Sequence, residues 1–210
     1  VAKDRQTKFD PAIYFHPQLI TIPQTNFRIE YFHKHNYSMS LGVDHMKYVV
    51  QQNQKVTITG NIDNSDTPYD GDYSNGTINI EDGFLKFEHT DGLNYINFEY
   101  RRFDNLLKYK DWNLSIAEGL GTGFLLPRTN ATIFNNKRHD EFHLAGYGFN
   151  CVIALNLSYK RYFIQSELKG GFINMPDIRT TEYKSDRASQ HFFFSQLNFL
   201  VGYSFSLSRD

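Results

Sequence analysis

Imidazoles, hydroxyls and carboxylates are the groups in this chain that could do chemistry. Eight histidines are present. His89 stands in Glu88-His89-Thr90-Asp91-Gly92, and His139-Asp140-Glu141 precedes His143. Imidazoles beside carboxylates can hold a metal ion or shuttle a proton. No single predicted element carries two histidines four apart, because His139 falls in a predicted loop and His143 opens the next strand, so no metal site is expected. The plainer alternative is a set of interface histidines with polar loop partners. Ser185, Asp186, Ser189 and His191 bring hydroxyl, acid and imidazole within seven residues. If the chain is an enzyme, His45, His143 and His191 are the candidate catalytic residues. Asp63 to Asp66 and Asp70-Gly71-Asp72 lack the twelve-residue calcium loop with its closing Glu, and read as solvated turns. Gly119-x-Gly121-x-Gly123 follows a strand and opens no helix, so it is not a nucleotide loop. Cys151 is the one cysteine. It excludes both a disulfide framework within the chain and a cysteine metal motif. No cofactor is expected.

The elements that position these groups are strands. In residues 190–207, Phe193, Leu197, Phe199, Val201, Tyr203, Phe205 and Leu207 share one face. Phe194, Gln196, Asn198, Leu200, Gly202, Ser204 and Ser206 share the other. That is a period of two. The same alternation predicts strands at 12–22, 26–33, 37–49, 93–103, 112–126, 141–157 and 161–174, eight in all. Residues 1–11 read as an N-terminal arm. Residues 51–92 are dense in Gly, Asn, Asp and Ser and read as one long excursion, in which 56–59 and 77–80 could pair as a small ribbon. Ten strands result if that ribbon joins the wall. Connections alternate in length, with the first link, 23–25, the exception: 34–36 and 158–160 are short, while 51–92, 127–140 and 175–189 are long and 104–111 is intermediate. The long ones fall on one side, opposite both termini, and His45, His89, His139, His143 and His191 map to that long-loop end.

The polar faces carry small residues (Ser38, Ser40, Gly42, Ser115, Ala117, Gly146, Gly148) and a mixed set of charges: Arg28, Glu30, Asp44, Glu99, Arg101, Glu167 and Lys169. A water-washed strand surface favours Lys, Glu and Thr over Gly and Ala. A narrow lumen needs small residues to close, and charges buried there must pair. This separates the pattern from a soluble lipocalin-like barrel, whose apolar face points inward. Glu118 falls on the apolar parity, which implies either a bulge or a different register.

Gly202-x-x-Phe205-x-Leu207 resembles the C-terminal assembly signal of bacterial outer-membrane β-barrels. Leu stands where a terminal Phe is usual, and Ser208-Arg209-Asp210 trail behind it. The architecture resembles the transmembrane domain of outer membrane protein A and its small relatives. That resemblance implies one domain over 1–210, an all-β single antiparallel transmembrane barrel in a bacterial outer membrane, with the signal peptide already removed. It also implies outer-membrane lipid and the barrel assembly machinery as partners. A few small barrels of this kind, the lipid A deacylases and the palmitoyltransferase, are enzymes that use Ser and His near the membrane boundary.

Composition is compatible with this. Net charge is −1, which favours neither nucleic acid nor an anionic surface. Aromatic content is 16%, with 19 Phe and 14 Tyr, a β-prone mixture. No apolar run approaches the roughly 18 residues of a spanning helix, as is normal for alternating barrel strands. The expected function is a non-enzymatic barrel with a plugged, ion-paired lumen. Its external loops would bind another envelope protein or a surface glycan. The alternatives are an outer-leaflet lipid-modifying enzyme and a subunit of a larger outer-membrane complex.

Overall fold

The computed structural model describes residues 2–5, 7–14, 16, 18–19 and 24–206. These residues form an all-β, antiparallel structure with one short helix. The elements are β1 (Ala2–Asp4), α1 (Pro11–Tyr14), β2 (Asn26–Lys34), β3 (Tyr37–Val50), β4 (Gln54–Ile62), β5 (Gly71–Ile80), β6 (Leu85–Tyr109), β7 (Trp112–Ile133), β8 (Asn136–Phe142), β9 (Gly146–Tyr159), β10 (Tyr162–Arg179) and β11 (Arg187–Tyr203). Seven strands stand side by side in the order β2-β3-β6-β7-β9-β10-β11, each antiparallel to its neighbours. β1 adds to the upper part of β3, and β8 to the upper part of β7.

The sheet curls back on itself. β2 and β10 are five strands apart, about 24 Å in a flat sheet. Yet Arg28 Nη1 on β2 lies 2.9 Å from Glu167 Oε2 on β10. Two side chains cannot bridge the flat distance, so the strands bend round a common interior. Small residues on the concave side permit that bend: Ser38, Ser40, Ser115, Ala117 and Ala154 are buried there.

Several expectations change. The strand predicted at 12–22 is absent where the chain is described. Residues 11–14 are helical and Leu19 N–H closes a turn on His16 O. Asp10 accepts Ala12 N–H on its side chain, 2.9 Å, with Pro11 at the first helical position, an Asp-Pro helix start that alternation outweighed in the sequence reading. Residues 15, 17 and 20–23 lie outside the described set. The predicted arm is partly ordered, since β1 pairs with β3. The chain leaves β3 at Arg5, whose N–H reaches Lys47 O, and returns at Thr25, which accepts His45 N–H. β1 and β2 are thus two parts of one edge strand, interrupted by residues 6–24.

Seven strands therefore make the wall among the described residues, where eight were expected. The ten-strand alternative fails because β4 and β5 form a separate two-stranded sheet. An odd count puts the termini at opposite ends. Ala2 is level with Val50, beside the long connections, and Tyr203 is level with Tyr162, beside the short turn at Lys160–Arg161.

The loops are also shorter than predicted. The turn expected over 104–111 is Lys110–Asp111 alone. Residues 127–140 continue β7 and turn into β8, 175–189 shrinks to 180–186, and 85–92 belongs to β6. These strands run on past the apolar belt and carry many polar side chains, some exposed and some buried (Glu88, His89, Thr129 and His139), so composition misreads them as loop. The ribbon of β4 and β5 is tied down where Tyr69, Phe84 and Phe134 stack, with ring centres 5.2 to 6.3 Å apart.

Candidate functional site

The interior is the part of the molecule with unusual chemistry, and strand alternation builds it. Residues i and i+2 share a face, so Glu99 and Arg101 on β6, and Gln165, Glu167 and Lys169 on β10, all point to the concave side. Arg28 arrives from β2 and Asp44 from β3. Lys169 Nζ contacts Asp44 Oδ2 at 2.6 Å and Glu99 Oε1 at 2.7 Å. Arg101 Nη2 contacts Glu99 Oε2 at 2.5 Å and Glu167 Oε2 at 2.8 Å. Arg28 bridges the same two glutamates, 2.9 Å from Glu167 and 3.5 Å from Glu99. Asp44, Glu99, Arg101, Glu167 and Lys169 are at most 1% exposed. Three cations face three anions, so the network carries no net charge.

Amides complete the shell. Asn97 donates to Asp44, Asn150 to Glu99, Gln165 to Glu167 and Asn156 to Gln165, at 2.9 to 3.1 Å. Neutral donors satisfy carboxylate lone pairs that the cations leave free, as a buried charge requires. The glycines of β7 make room. Gly121 lies opposite Glu99 and Gly119 opposite Arg101. A Cβ at 121 would sit 2.6 Å from Glu99 Cγ and 2.7 Å from Asn150 Oδ1. Gly121→Val is expected to cost about 3 kcal/mol or more through this overlap, seen as a lower urea midpoint of unfolding.

Six of the seven charges named from the sequence meet in this network. Glu30 does not, because it accepts from Ser38 Oγ at 2.6 Å, nearer the short-turn end. Glu118 stays on the outward face, exposed, across from Arg102 and with no register shift beside it.

Above the charges the interior turns apolar, which the sequence reading missed. Climbing β6, the inward residues are Arg101, Glu99 and Asn97, then Tyr95 and Leu93. On β10 they are Glu167 and Lys169, then Ile173 and Met175. These join Met46, Leu125, Ala145, Ile178 and Phe194 in one cluster, with Phe192 and Tyr48 against it. Tyr95 marks the boundary, its ring in the cluster and its hydroxyl donating to Asn150 at 2.9 Å. Register shifts lie at a similar level on β3 (Met46/Tyr48), β6 (Glu88/Leu93) and β10 (Met175/Ile178). The shifts begin just beyond the apolar layer: Tyr95 and Leu93 keep the inward parity of Glu99, and Ile173 and Met175 that of Lys169, so alternation carries these residues inward with the charges.

The outward face is the reverse of a water-soluble protein's. Phe193 is 84% exposed, Val201 85%, Phe199 79% and Leu120 71%. Aromatic rings gather at both ends of this belt. Trp112 packs on Tyr159 and Tyr162 on Tyr203 at the short-turn end, and Phe172 on Phe193 at the other.

The candidate catalytic histidines do not converge. His45 on β3 contacts Asn94, 2.8 Å. His143, between β8 and β9, accepts Arg179 N–H at 3.1 Å. His191 on β11 packs beside Phe172. Ser185 and Asp186 bond to each other and Thr181 reaches Asp186, all exposed. Gly202 is in β11 and Phe205 just beyond it, 67% exposed; Leu207 lies outside the described residues. Among the described residues no cluster of His, Cys, Asp and Glu could hold a metal ion. Comparison with protein-family models, with curated proteins and with solved structures returned no match.

Proposed function

We propose that this chain is a β-barrel of the bacterial outer membrane with a sealed lumen, and that it acts as a membrane-held platform for the structure at its long-loop end. One observation carries the reading: the sheet buries a network of six charges on its concave side and exposes its Phe, Leu and Val on the other, where Glu118 and Arg102 are exceptions. That inversion is costly in water and natural in lipid. The belt has a suitable height. Tyr147 and Tyr159 on β9 are twelve residues apart, about 40 Å along the strand. At a barrel strand's roughly 40° tilt this spans about 30 Å, enough for an apolar band of about 25 Å with aromatic girdles.

Two layers seal the lumen, the neutral ion network below and the apolar cluster above. The role is therefore structural or adhesive. The β4–β5 ribbon and β8 are presented to an envelope partner or a surface glycan. Gly202 and Phe205, at the short-turn end of β11, suit recognition by the assembly machinery. In a planar lipid bilayer the purified, folded protein is expected to give no conductance steps, and to migrate faster on a gel before boiling than after. Ohmic steps would refute the sealed lumen. Identical migration before and after boiling would refute the barrel.

A further inference from the structure

Three histidines meet above the belt where β6, β8 and the end of β10 come together. His89 is 2% exposed and His139 6%, and the Nε2 atom of each has no hydrogen-bond partner. The His89 Nδ1 pairs with Thr129 Oγ1 at 3.2 Å, and Phe87 lies edge-on to its ring. His139 and His143 meet edge to face with ring centres 5.6 Å apart. His143 fixes its own protonation state. Arg179 donates its backbone N–H to His143 Nε2, so that nitrogen must carry a lone pair, and Nδ1 is left to donate to Glu141 O, 3.4 Å away. This contact ties the β8–β9 connection to the last residue of β10, beside the 180–186 loop.

We propose that the three imidazoles form an acid-operated latch, closed while they are neutral, that frees β8 and the 180–186 loop from the mouth of the sheet when they are protonated. A proton on His143 Nε2 would set N–H against N–H at Arg179 and break the tie. Charge on His89 or His139 would be buried next to a second imidazole. The surrounding charges do not offset this. On β8, Asp140 is already held by Lys137 at 2.7 Å and by Arg128 of β7 at 3.2 Å. Asp140 and Glu141 of β8 and Asp177 of β10 favour the charged rings, while Arg179 and burial oppose them and prevail. On β6, Glu88 is bound by Arg5 at 3.5 Å, and Tyr48 of β3 lies opposite His89. Burial, then His143, pushes the His89 imidazole down to about 4. Burial also lowers His139 and His143. The sign follows. The open form binds protons more readily, so closure is complete near neutrality and weakens as pH falls from about 6.5 toward 4.

The latch is read by hydrogen–deuterium exchange of the folded protein in detergent micelles, at pH 7.5 and pH 4.5, corrected for the intrinsic pH dependence of exchange. Amides 139–145 and 179–187 are expected to lose about ten-fold or more of their protection at pH 4.5, while amides 96–101 keep theirs. Unchanged protection in the two upper segments would overturn the latch, as would an equal loss at 96–101, which signals general acid unfolding. His143→Gln supplies an amide oxygen that accepts the Arg179 N–H at any pH, and is expected to shrink the acid response at least three-fold. A full response in that variant would also overturn the proposal. Should the variant not fold, the native protein's two-pH comparison decides alone. None of these readings depends on lipid, so failure of the latch and failure of the membrane reading are distinguishable.

Discussion

Glu99→Leu is expected to destabilise the folded protein by about 3–5 kcal/mol, the cost of stripping the partner from buried charges. Glu99 is the one anion that contacts all three cations, Arg28, Arg101 and Lys169. Without it, Asp44 and Glu167 face an excess of one positive charge in an interior closed off by Tyr95 and the apolar cluster. Asn150, which donates to Glu99, also loses its acceptor. Urea unfolding of the protein in lipid vesicles, followed through Trp112, measures the loss. Glu99→Gln keeps the shape and one acceptor oxygen, so comparing the two variants separates lost charge from lost packing. A Glu99→Leu protein as stable as the original would mean that solvent reaches the network, contrary to a sealed lumen.

Leu168→Arg tests the other face. Leu168 is 53% exposed and lies in register between Ile153 on β9 and Leu197 on β11. In lipid an arginine at this point of the belt is expected to cost about 2–4 kcal/mol. On a water-washed surface the same change would shift stability by no more than about 0.5 kcal/mol. The measurement is the fraction folded in vesicles across a urea series, with Leu168→Ala as the control for lost packing. Equal stability of the arginine and alanine variants would remove the argument that this belt faces hydrocarbon.

Period-two alternation made most of the wall legible in the sequence. β2 and β3 fall within one residue of their predicted bounds, and β9 and β11 within five, because side chains on opposite faces of these strands meet opposite environments over nine to fourteen residues or more. The charges were legible for the same reason: Glu99 with Arg101, and Glu167 with Lys169, keep one parity within a strand. Asp10-Pro11 was a local signal available and outweighed, and it turned a predicted strand into α1. The upper ends of β6, β7 and β10 were not legible. There the outer side is polar and the inner side mixes apolar residues with buried Glu88, His89 and Thr129, so the same strand reads as loop by composition.

What the sequence by itself determined is the all-β character, the inward parity of the charges and the apolar outward stripe, since all three follow from spacing along one chain. Only the tertiary structure decided which charges pair, that Glu30 stays out, that seven strands line up with the ribbon apart, and that three histidines meet near the mouth. These depend on register between strands far apart in sequence. A shift of a single residue there exchanges the two faces, and the bulges that set it carry no mark in composition.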